Sequence, residues 1–209
     1  MALFTLVACG SEKTKMEKQI SIEEMKSKRS DLIYLDYKFG MNQTEVQKHT
    51  ENLIAEKKID ENGFIELDLG GSLMKINGSK NTFLVKDYIC KSIFQIIYVN
   101  NKVSQLDLIL YQFPKNYETV LVDVIELFES KYGKSTRVSD IIPIEDIENM
   151  KYYTQDQNKA IYISEAMGLV SISYIDLISK GELKEKNTSD SERIKNENLA
   201  KSKQTKGQI

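Results

Sequence analysis

The chain has 209 residues, 41% of them hydrophobic and 29% charged, with a formal net charge of −2. That is the composition of a globular protein long enough to bury its own core, and the near-balance of charge supplies no basic field for nucleic acid. One histidine, His49, and two cysteines, Cys9 and Cys90, exclude zinc sites of the two-histidine kind and leave any nucleophilic triad dependent on His49. No metal site, cofactor motif or catalytic signature is legible.

The N-terminus carries the most informative stretch. Ala2 to Ala8 is apolar, stops at Cys9 and gives way at once to Ser11-Glu12-Lys13. A bilayer-spanning helix needs ~20 apolar residues, so this run is too short to span and fits the apolar part of a signal peptide, the bland alternative being a cytosolic protein with an apolar N-terminus. Leu6-Val7-Ala8-Cys9 resembles the lipobox of bacterial lipoproteins. The resemblance implies that residues 1–8 are a signal-peptide remnant and that Cys9 is diacylated and becomes the first residue. It also implies that Cys9 holds the chain on a membrane of the bacterial cell envelope, outside the cytoplasm. Cys90, in the β-like run Tyr88-Ile89-Cys90-Lys91, is then left as a small core hydrophobe.

Residues 9–30 read as a charged tether with helical character around Ile22–Lys28. The folded part is expected over 31–178. Its first helix begins at Asn42-Gln43-Thr44-Glu45, a capping-box arrangement, and carries Val46, His49, Leu53 and Ile54 on one stripe. Strand-like runs follow at Phe64–Leu69, Ser72–Ile76, Thr82–Cys90, Ile93–Val99 and Val103–Tyr111. Gly70-Gly71 and Asn100-Asn101-Lys102 read as hairpin turns. A second helix opens at Pro114 and Asn116, repeats Tyr117, Val120, Leu121, Val124, Leu127, Phe128 and Tyr132 at helical spacing, and closes at Gly133. Strands are expected at Lys151–Thr154, Lys159–Glu165 and Leu169–Ile175, the last two joined at Met167-Gly168. Residues 179–209 are rich in Lys, Glu, Asn and Ser and too poor in apolar side chains to fold alone.

This order predicts an α+β fold of two helix-plus-antiparallel-sheet units, 31–113 and 114–178, with the helices packed on one face of the sheet. Phe39-Gly40-Met41 followed by Val46 resembles the helix entry of envelope lipoproteins of the SmpA/OmlA type. The repeated helix-plus-sheet plan is similar to β-lactamase-inhibitor-like domains. These resemblances imply an architecture and a location, and no binding residues.

Among candidate site residues, His49 sits on an apolar stripe, where a hydrogen-bonded core histidine is the bland reading and a hydrolase base the sharp one. Asp60-Glu61-Asn62-Gly63 lacks the spacing of a calcium loop and reads as a helix-to-strand turn. Glu145, Asp146 and Glu148 read as a solvated acidic loop. Eleven tyrosines suit core packing or a binding face. The adjacent pair Tyr152 and Tyr153 is the best patch candidate, because alternation turns one of them away from the core. The expected function is non-catalytic: a protein-interaction or envelope-assembly module with an unidentified envelope partner. A binder of small molecules or glycans with a tyrosine-lined pocket is the first alternative, and a hydrolase using His49 the second.

Overall fold

Side-chain alternation and two-residue turns build one continuous sheet. The computed structural model describes residues 22–60, 62–68, 73–135 and 150–206. Cys9, the Gly70-Gly71 turn and the acidic loop around Pro143 lie outside the described residues. In chain order the elements are α1 (Ile22–Ser27), a single 3₁₀ turn (Tyr34–Asp36), α2 (Gln43–Ala55), β1 (Asn62–Asp68), β2 (Leu73–Val85), β3 (Tyr88–Val99) and β4 (Lys102–Gln112). They continue with α3 (Tyr117–Tyr132), β5 (Met150–Asp156), β6 (Lys159–Ala166), β7 (Leu169–Asp176) and α4 (Leu177–Lys206).

All seven strands join in the order β1-β2-β3-β4-β7-β6-β5, each pair antiparallel. The expectation of two helix-plus-sheet units is therefore corrected: β4 pairs with β7 and fuses both strand groups into one β-rich sheet. The helices do not share one face either. Val46 and Leu53 of α2 and Val120, Val124 and Phe128 of α3 join the large core with Phe94, Leu106, Leu108, Leu110, Ile161 and Ile172. Met25 of α1 and Leu177 and Ile178 of α4 cover Tyr153, Ala160 and Ile175, which alternation places on the opposite face. A third cluster, Ile65, Ile76 and Ile93, lies on that second face under β1–β3.

The turns explain where the strands end. Asn100 and Asn101 both take positive φ, as do Met167 and Gly168, so each pair makes the mirror-image turn that suits a right-twisted hairpin. Lys86-Asp87 closes the β2–β3 hairpin, with Val85 opposite Tyr88 and Lys86 at φ 49°. This divides the expected strand Thr82–Cys90 in two. The helices begin as their caps dictate. Asn42 and Glu45 form the reciprocal capping box at 2.8 and 3.0 Å, and Asn116 Oδ1 accepts the Thr119 N–H at 2.9 Å. α4 extends through the segment whose composition predicts an unfolded tail; its strong helix formers and the Asp190–Arg193 pair favour local helix.

Two polar anchors fix peripheral segments. Buried Asp176 accepts hydrogen bonds from Ser179 Oγ (2.6 Å) and Asn158 Nδ2 (3.2 Å) and pairs with Arg29 (3.3 Å), while the Ser30 N–H donates to Asn158 Oδ1 (2.6 Å). These contacts strap the N-terminal segment onto the β5–β6 turn and the end of β7. At the other end, Lys86 Nζ lies 2.6 Å from both Asp123 and Glu126 of α3, and the Tyr88 hydroxyl donates to Asp123 at 2.9 Å. The β2–β3 hairpin is thereby pinned to α3.

Hydrogen bonds from Lys86 and then from Tyr88 hold the Asp123 carboxyl below its ordinary range. A depressed folded pKa means that the unfolded chain binds more protons in acid. The stabilisation is complete above the unfolded value, about 3.9, and is lost as pH falls through the lower folded value. Asp123→Asn is expected to lower the urea midpoint at neutral pH, with the gap to the unsubstituted protein closing as pH falls through that lowered folded value. A gap of equal size at neutral and at strongly acid pH would show that the charge is not what stabilises.

Candidate functional site

A broad cleft arises where β2 changes partner. Leu73–Ser79 pairs with β1, and Ser79–Val85 pairs with β3. Beyond the Ser79–Phe94 pair the two strands diverge, so Gln95–Val99 keeps β4 as its only strand partner among the described residues. Gly78 stands at the branch. A Cβ there would lie 2.3 Å from the Phe94 carbonyl oxygen and 3.0 Å from Ile93 Cγ1, so only glycine admits this approach of the two backbones.

The exposed side of α2 roofs the gap and leaves a cleft of about 810 Å³. Carboxamides dominate its polar lining: Gln43 and Gln47 on successive turns of α2, Asn62 on β1, Asn77 on β2 and Gln95 on β3. Gln95 Nε2 donates to the Asn77 carbonyl at 2.6 Å across the divergence, Ser79 Oγ donates to Asn62 Oδ1 at 2.5 Å, and Gln47 Nε2 donates to Glu51 at 3.0 Å. Among the described residues Glu51 is the one charged member of the lining; Phe94, Ile96 and Ile97 supply the apolar floor, and Val46 and Ile54 the apolar part of the roof. The Thr50 hydroxyl is engaged by Val46 O and Tyr37 at 2.8 and 2.7 Å. A carboxamide carries an acceptor oxygen and two N–H donors, so it can pair with both the N–H and the C=O of a peptide bond. The alternate N–H and C=O groups of Gln95–Val99 that point away from β4 face this space. The arrangement offers recognition of a polypeptide backbone and presents no nucleophile-and-base pair.

The residues singled out from sequence go elsewhere. His49 donates Nε2–H to the Leu35 carbonyl at 2.8 Å and packs edge-on against Tyr37, 4.6 Å between ring centroids. Cys90 faces the core of β3, where burial pushes its thiol pKa up. Tyr152 and Tyr153 point to opposite faces as alternation requires, and both faces are covered there. Tyr152, 1% exposed, donates its hydroxyl to Gly133 O at 2.9 Å; Tyr153, 5% exposed, lies under α1 and α4. Neither presents surface to a partner. Among the described residues no cluster of His, Cys, Asp and Glu is placed to hold a metal, and no helix is long and apolar enough to cross a membrane.

Sequence reasoning passed over the cleft residues. Gln43 and Gln47 were visible as an i, i+4 pair off the apolar stripe of α2. Nothing local to Asn77-Gly78 or Gln95 signals that the strands bearing them part company. Gly78→Ala is expected to destabilise the fold by about 2–4 kcal/mol, because the added methyl overlaps backbone that cannot rotate away. Equilibrium urea unfolding measures this; a loss under ~0.5 kcal/mol would mean that the approach is not tight in solution. No protein-family model matches this chain, no curated protein matches its sequence, and no solved structure matches its fold.

Proposed function

We propose that this protein is an envelope lipoprotein, anchored through acylated Cys9, whose domain is a non-catalytic interaction module. Its cleft receives an extended segment of a partner polypeptide as an added strand along Gln95–Val99. The observation that carries this reading is the divergence of β2 from β3. It opens an unpartnered strand edge into a groove lined by carboxamides and apolar side chains, the combination that strand addition uses for affinity and for side-chain selection. Each backbone hydrogen bond to the added strand contributes about 0.5–1.5 kcal/mol net. A five-residue edge with an apolar floor therefore suits reversible capture. Glu51, with no cation among the described residues of the lining, favours a segment that carries a basic residue at the α2 side of the groove.

The anchor rests on the Leu6-Val7-Ala8-Cys9 pattern. Intact-mass measurement of the native protein from a membrane fraction is expected to give a chain beginning at Cys9 and heavier by acyl groups. Cys9→Ala is expected to abolish that species. An unmodified chain retaining Met1 would remove the envelope from the proposal.

For the cleft, displayed random peptides selected on the immobilised domain are expected to converge on extended sequences that slow amide exchange at Gln95–Val99. Ile97→Lys, which places a charge on the open edge, is expected to weaken those peptides at least about tenfold while the domain stays folded. Selected peptides that protect another surface, or an Ile97→Lys domain that binds them equally well, would overturn the strand-addition site.

A further inference from the structure

A second cavity, independent of the cleft, lies where the 3₁₀ turn, β2, β7 and the last turns of α3 meet. It encloses about 350 Å³, within the range of pockets that take small organic ligands. Five rings wall it: Tyr34 from the turn, Phe83 from β2, Phe128 and Tyr132 from α3, and Tyr174 from β7. Their arrangement is ordered. Tyr34 and Phe83 lie 5.9 Å apart, Phe128 stacks on Tyr132 at 5.8 Å, and Phe128 meets Tyr174 at 6.4 Å. A dense set of rings normally closes on itself; here it leaves a space between its two halves.

The polar groups are as selective as the walls. Asn81 Nδ2 donates to the Tyr34 hydroxyl oxygen at 2.5 Å, which leaves the phenolic proton of Tyr34 uncommitted by that bond. Burial raises the pKa of Tyr34 to about 12 and that of Tyr174 further, so both phenols stay neutral donors. Lys131 stands at the rim, its Nζ 5.1 Å from the Tyr132 ring. Nearby Lys159 is engaged by Leu32 O and Asp156. Lys131, by contrast, makes no ion pair among the described residues and leaves the mouth of an apolar cavity with an uncompensated positive charge.

The 3₁₀ turn that carries Tyr34 departs from relaxed geometry. Leu35 and Asp36 both adopt positive φ, 52° and 62°, a conformation that non-glycine residues take at a cost. Within this turn Tyr34 lies over Phe83 and Phe94, and the Leu35 carbonyl accepts from His49.

We propose that this cavity binds a small aromatic carboxylate, its ring seated among Tyr34, Phe83, Phe128 and Tyr174 and its carboxylate paired with Lys131 at the rim. Stacking against ordered rings favours a planar aromatic body over an alkyl chain, and a cation at the rim with no acid among the described residues of the lining favours an anion over a neutral or cationic ligand.

Isothermal titration with 2-naphthoate, 2-naphthol and 2-(2-naphthyl)ethylammonium tests this directly on the purified protein. The expected result is saturable one-to-one binding of naphthoate, weaker binding of the naphthol and none of the ammonium. Lys131→Met is expected to weaken naphthoate about tenfold and to leave the naphthol within about twofold. Leu84 is at the rim and 62% exposed, so Leu84→Trp narrows the entrance without entering the core. It is expected to weaken both ligands with the melting temperature unchanged. No saturable binding to the folded protein, equal affinity for acid and amine, or indifference of naphthoate to either variant would overturn the proposal. Each of these outcomes leaves the peptide cleft untouched, because no residue is shared between the two linings.

Discussion

The ladder between β4 and β7 is the constraint on which the rest of this molecule depends. It sets Leu106, Leu108 and Leu110 opposite Tyr174, Ile172 and Val170, all buried. β1 to β4 form a meander of four and β7, β6 and β5 a meander of three. Neither group alone covers the apolar faces of α2 and α3. Closing a loop of some 60 residues costs entropy that grows only slowly with length, so one well-buried ladder suffices to hold the halves together. Ser173 Oγ donates to Asp107 at 2.6 Å and Gln105 Nε2 to the same carboxylate, so the polar face of the junction is satisfied as well. The aromatic cavity owes its existence to this pairing, since Phe83 and Tyr174 come from opposite sides of it.

Partner exchange along β2 is the second organising device. A thirteen-residue strand serves β1 with one half and β3 with the other, and the absence of a Cβ at Gly78 permits the crossing. Either half leaves an edge unpaired. On the β3 side the free edge is Gln95–Val99, beneath α2. On the outer side, the backbone past Lys80 has no strand partner among the described residues, and Thr82–Leu84 borders the aromatic cavity. Both concavities thus border the same strand, β2, at its two halves.

Local signals in the sequence located the elements. Asn42 and Glu45, Asn116 and Gly133 mark the helix ends through side-chain and backbone chemistry that acts within a few residues. Asn100-Asn101 and Met167-Gly168 mark their hairpins for the same reason, and the alternation of Val170, Ile172 and Tyr174 marks β7. Lys86-Asp87 escaped notice because neither residue announces the positive φ that Lys86 adopts. The joining of two meanders into one sheet escaped because no periodicity encodes which strand lies beside which. Tyr153 shows the cost at the level of a site. Alternation turns it from the main core correctly, but the helices that bury it come from the two ends of the described chain, Met25 and Ile178. Tyr34, Tyr132 and Tyr174 were legible one by one as tyrosines among apolar neighbours; their convergence was not.

The strap formed by Arg29 and Ser30 against Asp176 and Asn158 fixes where the N-terminal segment leaves the domain. α1 lies beside the start of α4, joined by Met25 packing with Leu177 and Ile178 and by the Lys26–Glu182 pair at 3.0 Å. Both leave from the face of the sheet opposite α2 and α3. For a chain held at Cys9, the stretch to Ile22 spans at most roughly 45 Å at ~3.5 Å per residue. That reach is comparable to the width of the domain, and its point of attachment lies on the face of the sheet opposite α2 and α3. If Cys9 is the anchor proposed above, the strapped face is the one nearest the attachment, and the ring-lined cavity lies on the other.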